Sequence, residues 1–307
     1  MRIAMTGATG FVGKNLVPYL RQHTAHDILE ISRRTVQRGN ECVTFEQFRK
    51  DAPPYDAFIH LAGKAHDVKN TADAAEYFKV NYELTREMFD HFRQSSATVF
   101  IYLSSVKAVA DLPEGPVTED MFPSPQTPYG QSKLKAEEYL ASSELAPGKK
   151  LYILRPCMIH GPENKGNLNL LTALVKKNIP YPLGAFLNSR SFLSVENLCF
   201  VINKLLAGNT PSGIYNVADD EPLSTNELVR LIGVMMGKPA KIWAINKHLV
   251  RWMAKAGDLL RLPFNSEALQ KLTTDYVVSN AKLMSVLDAA LPVNSREGLT
   301  HTLQALR

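Results

Sequence analysis

Residues 2–13 read Arg2-Ile3-Ala4-Met5-Thr6-Gly7-Ala8-Thr9-Gly10-Phe11-Val12-Gly13. A short apolar run stops at a glycine-rich turn, and a helical period starts directly after it. The run predicts a buried strand over Arg2–Thr6, and the period predicts a helix over Phe11–Arg21. Glycines at 7, 10 and 13 let the backbone turn sharply and approach a pyrophosphate, whose charge is met by the N-terminus of the next helix. An ordinary glycine-rich turn is the alternative. Three glycines at three-residue spacing between a clear strand and a clear helix count against it.

Outward from this stretch, short apolar runs alternate with helical periods. Further strands are predicted at Asp27–Ser32, Cys42–Thr44, Ala57–Leu61, Thr98–Ser104 and Lys150–Arg155. Helices are predicted around Ala75–Gln94 and at Pro128–Ser142, the latter with Thr127 as N-cap and proline at its first position. Strand and helix in alternation imply an α/β fold, a doubly wound parallel sheet with right-handed crossovers. After Pro156 the texture changes. A loop over Gly161–Asn167 leads to a helix at Leu168–Lys177, a helix capped by Ser194 reaches Ala207, and Ile214–Ala218 is a strand returning to the sheet. Ser224 and Glu227 form a capping-box pattern opening a helix to Met236, and mostly helical sequence follows. The stripe Leu249, Val250, Trp252, Met253, Ala256, Leu259 and Leu260, interspersed with Lys247, Arg251, Lys255 and Arg261, is expected to pack into a core; a membrane-surface helix is the other reading.

Composition narrows the function classes. The 307 residues hold 35 Lys and Arg against 30 Asp and Glu, a net charge of +5 without long like-charge blocks, so no nucleic-acid arm is expected. A modest basic surplus suits an acidic small-molecule substrate. Cys42, Cys157 and Cys199 are dispersed and match no metal-ligand spacing. His60, His66 and His160 likewise share no such spacing and read as pocket or core residues, so no metal is expected. With no run of about 18 apolar residues and no recognisable signal peptide, a reduced, cytoplasmic protein without stable membrane insertion is expected.

A second chemical signal is Tyr129-Gly130-Gln131-Ser132-Lys133. Residues four apart share a helix face, so the phenol and the ammonium can converge, and a nearby cation lowers a tyrosine pKa. Tyr-x-x-x-Lys alone is weak. It gains weight from Ser104-Ser105 at the C-terminal end of the preceding strand, where parallel α/β sheets bind ligands.

Together these pieces resemble an extended short-chain dehydrogenase/reductase of the nucleotide-sugar epimerase/dehydratase group. The likeness extends to His60-Leu61-Ala62-Gly63, Val80-Asn81, Leu154-Arg155-Pro156, Gly161-Pro162 and the segment Arg190–Leu198. Ser104-Ser105-Val106-Lys107 resembles the branch that holds UDP-glucose 4-epimerases and 4-keto-6-deoxy nucleotide-sugar reductases. The resemblance implies a Rossmann-type domain over residues 1–165, with return segments near 191–218 and 276–287. The remainder of 166–307 would form a smaller, mostly helical substrate domain. It also implies a homodimer through the helices Ala75–Gln94 and Pro128–Ser142.

Roles follow from the resemblance. Tyr129 would be the acid/base on the sugar 4-oxygen, Lys133 would bind the nicotinamide ribose and lower the Tyr129 pKa, and Ser105 would hydrogen-bond the same oxygen, with Ser104 the alternative. Gly7, Thr9, Gly10, Phe11, Val12 and Gly13 would hold the cofactor pyrophosphate. Leu61, Ala62, Gly63, Pro156 and Asn81 would line the cofactor, Asn81 with an equal structural reading. Asn167, Leu168 and Arg190 match substrate-contacting positions. Lys107 could reach a substrate phosphate or sit solvated. Cys157 stands where many epimerases carry asparagine and reads more readily as a buried thiol.

At the end of the second strand, NAD-binding members place an acidic residue, whereas this chain has Ser32 and then Arg33, which would accept a 2′-phosphate. NADP(H) is therefore expected over NAD(H). The expected activity is a 4-keto nucleotide-sugar reductase, with a 4-epimerase and a non-catalytic NADP-binding regulator as alternatives. A dehydratase is disfavoured because Val106 and Lys107 occupy its acidic positions.

Overall fold

A computed structural model describes residues 1–34, 41–65, 73–162, 168–260, 262 and 264–305. Strands β1 (Arg2–Thr6), β2 (Asp27–Ser32), β3 (Glu41–Thr44), β4 (Ala57–His60), β5 (Val99–Leu103), β6 (Lys150–Pro156), β7 (Met158–His160), β8 (Phe192–Ser194) and β9 (Gly213–Val217) alternate with helices. The helices are α1 (Phe11–His23), α2 (Phe45–Lys50), α3 (Ala74–Phe78), α4 (Leu84–Gln94), α5 (Pro128–Ser142), α6 (Leu168–Lys176), α7 (Val195–Leu206), α8 (Thr225–Met235), α9 (Lys247–Leu260), α10 (Ser266–Thr273), α11 (Ala281–Leu287) and α12 (Ser295–Gln304). Seven strands form one sheet in the order β3-β2-β1-β4-β5-β6-β9, all neighbours parallel. The order reverses between β1 and β4, which opens a ligand crevice at their C-terminal ends.

The inner strands are apolar without alternation because helices cover both faces of a parallel sheet. On one face Ile3, Met5, Ile59 and Ile101 meet Leu16 of α1 and Val201 and Ile202 of α7. On the other, Phe58 stacks on Phe100 at 5.2 Å and Phe89 of α4 meets Phe100 edge-on at 5.0 Å, both favoured aromatic geometries. A third cluster lies outside the sheet, where Leu168, Phe192, Leu228, Ile232, Leu299 and Leu303 join α6, α8 and α12. Caps set the helix starts: the hydroxyls of Thr127 and Ser194 accept from Gly130 and Glu196 N–H, and the Ser224–Glu227 capping box is formed.

Two expectations change. The long helix before β5 is not regular: residues Lys79–Glu83 form a π turn between α3 and α4. That turn widens the spiral at Asn81, whose buried side chain then faces the neighbouring loop rather than its own helix. The stripe on α9 is not core either. Val250, Ala254 and Gly257 are buried, while Leu249, Trp252, Met253, Leu259 and Leu260 stand exposed.

The β1–α1 loop is the tightest junction. Gly7 has φ +75°, and a Cβ there would lie 2.6 Å from the Ala62 nitrogen. Gly13 packs directly on the Gly7 carbonyl and Ala8 backbone. Gly13→Ala must therefore force helix and loop apart, a strain of about 1–3 kcal/mol. A urea unfolding midpoint equal to wild type would contradict this packing.

Candidate active site

Elements from distant parts of the chain meet at the crevice. The Thr6 hydroxyl sits 2.7 Å from His60 Nδ1 and accepts from Ala62 N–H at 3.2 Å, joining the ends of β1 and β4. The other His60 nitrogen lies 3.1 Å from the Thr85 hydroxyl. Full burial, reinforced by the Lys133 charge, pushes His60 down to about 3, so its imidazole is neutral. His160 is buried as well, 2.8 Å from the Thr302 hydroxyl. His66 and Asn167 lie outside the described residues.

The loop between β1 and α1 presents an anion cradle. Gly10 is the N-cap of α1, no side chain caps it, and the first turn holds no acidic residue. The first intrahelical bond runs from Lys14 N–H to the Gly10 carbonyl at 2.9 Å, so the amides of Phe11, Val12 and Gly13 precede the ladder. Unlike α5, α7 and α8, this helix offers its positive end to a ligand. That is the requirement for a dinucleotide pyrophosphate, and the residues fit it. Thr9 and Gly10 are exposed there, Phe11 is half-buried, and Val12 and Gly13 are buried. Leu61, Ala62 and Gly63 form the opposite wall, and Pro156 ends β6, buried and paired with Val217.

At the far end of β2, the Ser32 hydroxyl donates to the Arg34 carbonyl and lies 3.6 Å from Cys42 Sγ. Arg33 is exposed. No carboxylate stands at either position.

The centre is built on α5. Asp111 accepts from the Gln126 and Thr127 amides at 2.7 and 3.0 Å and from the Thr127 hydroxyl at 3.0 Å, holding the start of the helix. Gly130 packs on the Lys107 carbonyl so closely that a side chain would collide with it. The first turn of α5 is thereby pressed against Ser105, which caps a short 3₁₀ turn, Val106–Ala108. Ser105 adjoins Tyr129, and the Tyr77 ring meets Tyr129 edge-on at 6.2 Å.

Burial raises the Tyr129 pKa; the Ser105 hydrogen bond lowers it and Tyr77 raises it further. This corrects the expectation that Lys133 depresses it. The Lys133 ammonium donates to the Leu103 carbonyl at 2.8 Å and lies 4.8 Å from the Tyr102 ring centre.

Asn81 locks the adjacent loop. It accepts from Lys64 N–H at 2.7 Å and donates to the Lys64 carbonyl at 3.1 Å and the Ser132 hydroxyl at 3.0 Å, joining the loop after β4 to α5.

Ser104 and Ser105 diverge in surroundings. Ser104 donates to buried Glu137, which forms a nearly solvent-free pair with Arg155, Nη2 to Oε2 at 2.6 Å and Nε to Oε2 at 3.0 Å. Sequence reasoning missed this cluster, although Glu137 follows Lys133 at helical spacing. It also missed Tyr276, whose hydroxyl donates to the Ala110 carbonyl at 2.7 Å. No local pattern marks a tyrosine 166 positions from that carbonyl.

On the substrate side, Lys107 Nζ donates to the Asp111 carbonyl at 2.8 Å and lies 4.3 Å from the Tyr276 ring centre. Burial, with Arg190 and Lys271 nearby, lowers it to about 8. The Arg190 guanidinium donates to the carbonyls of Lys271 and Thr274, while its Nε is buried without a partner among the described residues. Cys157 is buried, and burial raises its thiol well above the usual range. Leu168 lies in the α6–α8–α12 core.

Residues 3–218 match the model of the NAD dependent epimerase/dehydratase family. The chain is 28% identical to UDP-glucose 4-epimerase of Vibrio cholerae, covering 99% of this chain and 94% of that one. It is 27% identical to GDP-6-deoxy-D-mannose reductase of Pseudomonas aeruginosa over 75% of this chain and 79% of the relative. The crystal structure of UDP-N-acetylglucosamine 4-epimerase from Bacillus cereus superposes with TM-score 0.78 at 20% identity, covering 100% of this chain and 99% of that one, so the fold is shared.

Lys133 supplies a pH test. Burial lowers its pKa from 10.5 to about 8, partly opposed by Glu137. Below about 8 the folded and unfolded states both carry the proton, and the cost of burying a cation is fully present. Between about 8 and 10.5 the unfolded state holds more protons, so stability rises with pH there. Lys133→Met should therefore stabilise the protein by about 1–3 kcal/mol at neutral pH, with the gain shrinking towards pH 10. Calorimetry across that range checks it; a gain independent of pH would contradict it.

Proposed function

The chain belongs to the NAD-dependent epimerase/dehydratase family, and from that membership we propose that it reduces the C4 ketone of a nucleotide-linked sugar, consuming one NADPH per product. The observation that carries this reading is the meeting of Ser105 and Tyr129 at the C-terminal end of β5, where Gly130 packs on the Lys107 carbonyl, with Lys133 one helical turn along α5 and the uncapped start of α1 at the same crevice. The hydride for C4 comes from the reduced nicotinamide. Tyr129 delivers the proton to the sugar O4, and Ser105 holds that oxygen in line. Lys133 holds the nicotinamide ribose and keeps positive charge in the crevice. Gly7, Gly10 and Gly13, with the N-terminus of α1, hold the pyrophosphate.

On the substrate side, Lys107, lowered to about 8 among other cations, gains by meeting the substrate diphosphate, and Arg190 Nε is a nearby donor lacking a partner among the described residues. Val106 and Lys107 supply no acid of the kind a dehydratase uses. The absence of a carboxylate at Ser32 and Arg33 favours NADPH, and its exchange each turnover fits a reductase. The 28% identity to a 4-epimerase supports the second reading, C4 epimerisation with no net cofactor loss. We also propose a homodimer through the helical stretch α3–α4 and α5. These helices already pack side by side through Asn81–Ser132 and Tyr82–Tyr139, as a four-helix interface requires.

Incubation with 4-keto and 4-hydroxy UDP- and dTDP-sugars, with and without NADPH, should give one NADPH oxidised per ketone reduced, read by absorbance and NMR. Conversion of UDP-glucose or UDP-N-acetylglucosamine to its C4 epimer without added cofactor would overturn the reductase. Tighter binding of NADH than NADPH would overturn the cofactor preference. Tyr129→Phe should retain NADPH binding while turnover falls about 100- to 10,000-fold; equal activity would refute the role of Tyr129. Light scattering should give a dimer at micromolar concentration, and a monomer would end that proposal.

A further inference from the structure

Helix α9 divides into three arcs at about 100° per residue. Val250, Ala254 and Gly257 face the protein and are buried. Lys247, Arg251 and Lys255 lie together on a second arc. The third arc carries Leu249, Trp252, Met253, Ala256, Leu259 and Leu260, of which Trp252, Leu259 and Leu260 are 68%, 85% and 65% exposed. The chain's other tryptophan, Trp243, stands just before the helix and is also exposed. A contiguous apolar helix face of this kind marks an interaction surface rather than scattered surface residues.

Its charge identifies the partner. Residues 238–262 hold six Lys and Arg against a single acid, Asp258, a surplus as large as the whole chain's +5. Asp258 is engaged by Ser266, accepting from its amide at 3.0 Å and from its hydroxyl at 2.5 Å. A second copy docked on a two-fold axis would set this basic arc against itself, which is repulsive. An anionic bilayer surface satisfies both arcs at once: the apolar side chains enter the headgroup boundary, tryptophan lies at the interface, and the lysines and arginine meet lipid phosphates. None of the described helices is long and apolar enough to cross a membrane, so the contact is peripheral.

We propose that α9 seats this protein on the surface of a membrane rich in anionic lipid. Flotation is read without turnover, so the test does not depend on the activity proposed above. The full chain should co-float with vesicles of phosphatidylglycerol and phosphatidylcholine at about 0.1 M salt, and be released at 1 M, where the screening length falls to about 3 Å. It should not float with phosphatidylcholine alone. Trp252→Glu with Leu259→Glu, or Arg251→Glu with Lys255→Glu, should weaken binding about tenfold or more, with NADPH affinity unchanged as the check on folding. Tryptophan emission should shift to the blue on anionic vesicles. No flotation, equal flotation on neutral vesicles, or insensitivity to salt would overturn the proposal, and these arms need no variant to fold. A dimer that Trp252→Glu dissociates would overturn it in favour of self-association.

Discussion

The pair Arg155–Glu137 is the constraint on which the active region rests. Its residues are 3% and 2% exposed at the side chain, and Ser104 supplies a further hydrogen bond to the carboxylate. One partner lies near the end of β6, the other on α5, and Ser104 follows β5. The contact therefore sets the height of α5 over the sheet edge. Removing one partner would leave an uncompensated buried charge, at a cost of about 3–5 kcal/mol. Because Lys133 and Tyr129 lie one and two turns before Glu137 on the same helix, a shift there would move both relative to Ser105.

Around that anchor the protein gathers positive charge in poorly solvated surroundings. Lys133 and Lys107 are both lowered by burial, each to about 8. His60 is driven to the neutral form, partly by Lys133. The uncapped start of α1 adds a fixed positive dipole end. A surface arranged this way gains most from a partner that brings negative charge at both ends, as a dinucleotide and a nucleotide diphosphate do. Tyr129 shows the corollary: burial outweighs its hydrogen bond to Ser105, and its pKa lies above the ordinary value.

Much of the architecture was legible because it depends on local patterns. Unbroken apolar runs at residues 3–5, 57–59 and Val99–Leu103 announce strands covered on both faces, and the caps at Thr127, Ser194 and Ser224 form as their residue types require. The π turn at Lys79–Glu83 was not legible. Its sequence suits an ordinary α-helix, and it is the bonds from Asn81 to Lys64 and Ser132 that accompany the widened turn. On α9 the amphipathic period was visible, but a period does not say which side of a helix the protein covers. Only small residues, Ala254 and Gly257 beside Val250, turn inward, which leaves the large ones outside.

Spacing along single strands and helices was enough to give the parallel sheet and the glycine turn, and it drew attention to the serine, tyrosine and lysine near the sheet edge. What surrounds those residues is a matter of tertiary structure. Folding placed Tyr276 over Lys107, put the Lys133 ammonium on the Leu103 carbonyl, and engaged Arg190 with the carbonyls of Lys271 and Thr274. The reason is physical: periodicity reports the repeat of one element, whereas the direction of a charge depends on which carbonyls and rings distant segments bring within about 3–5 Å of it.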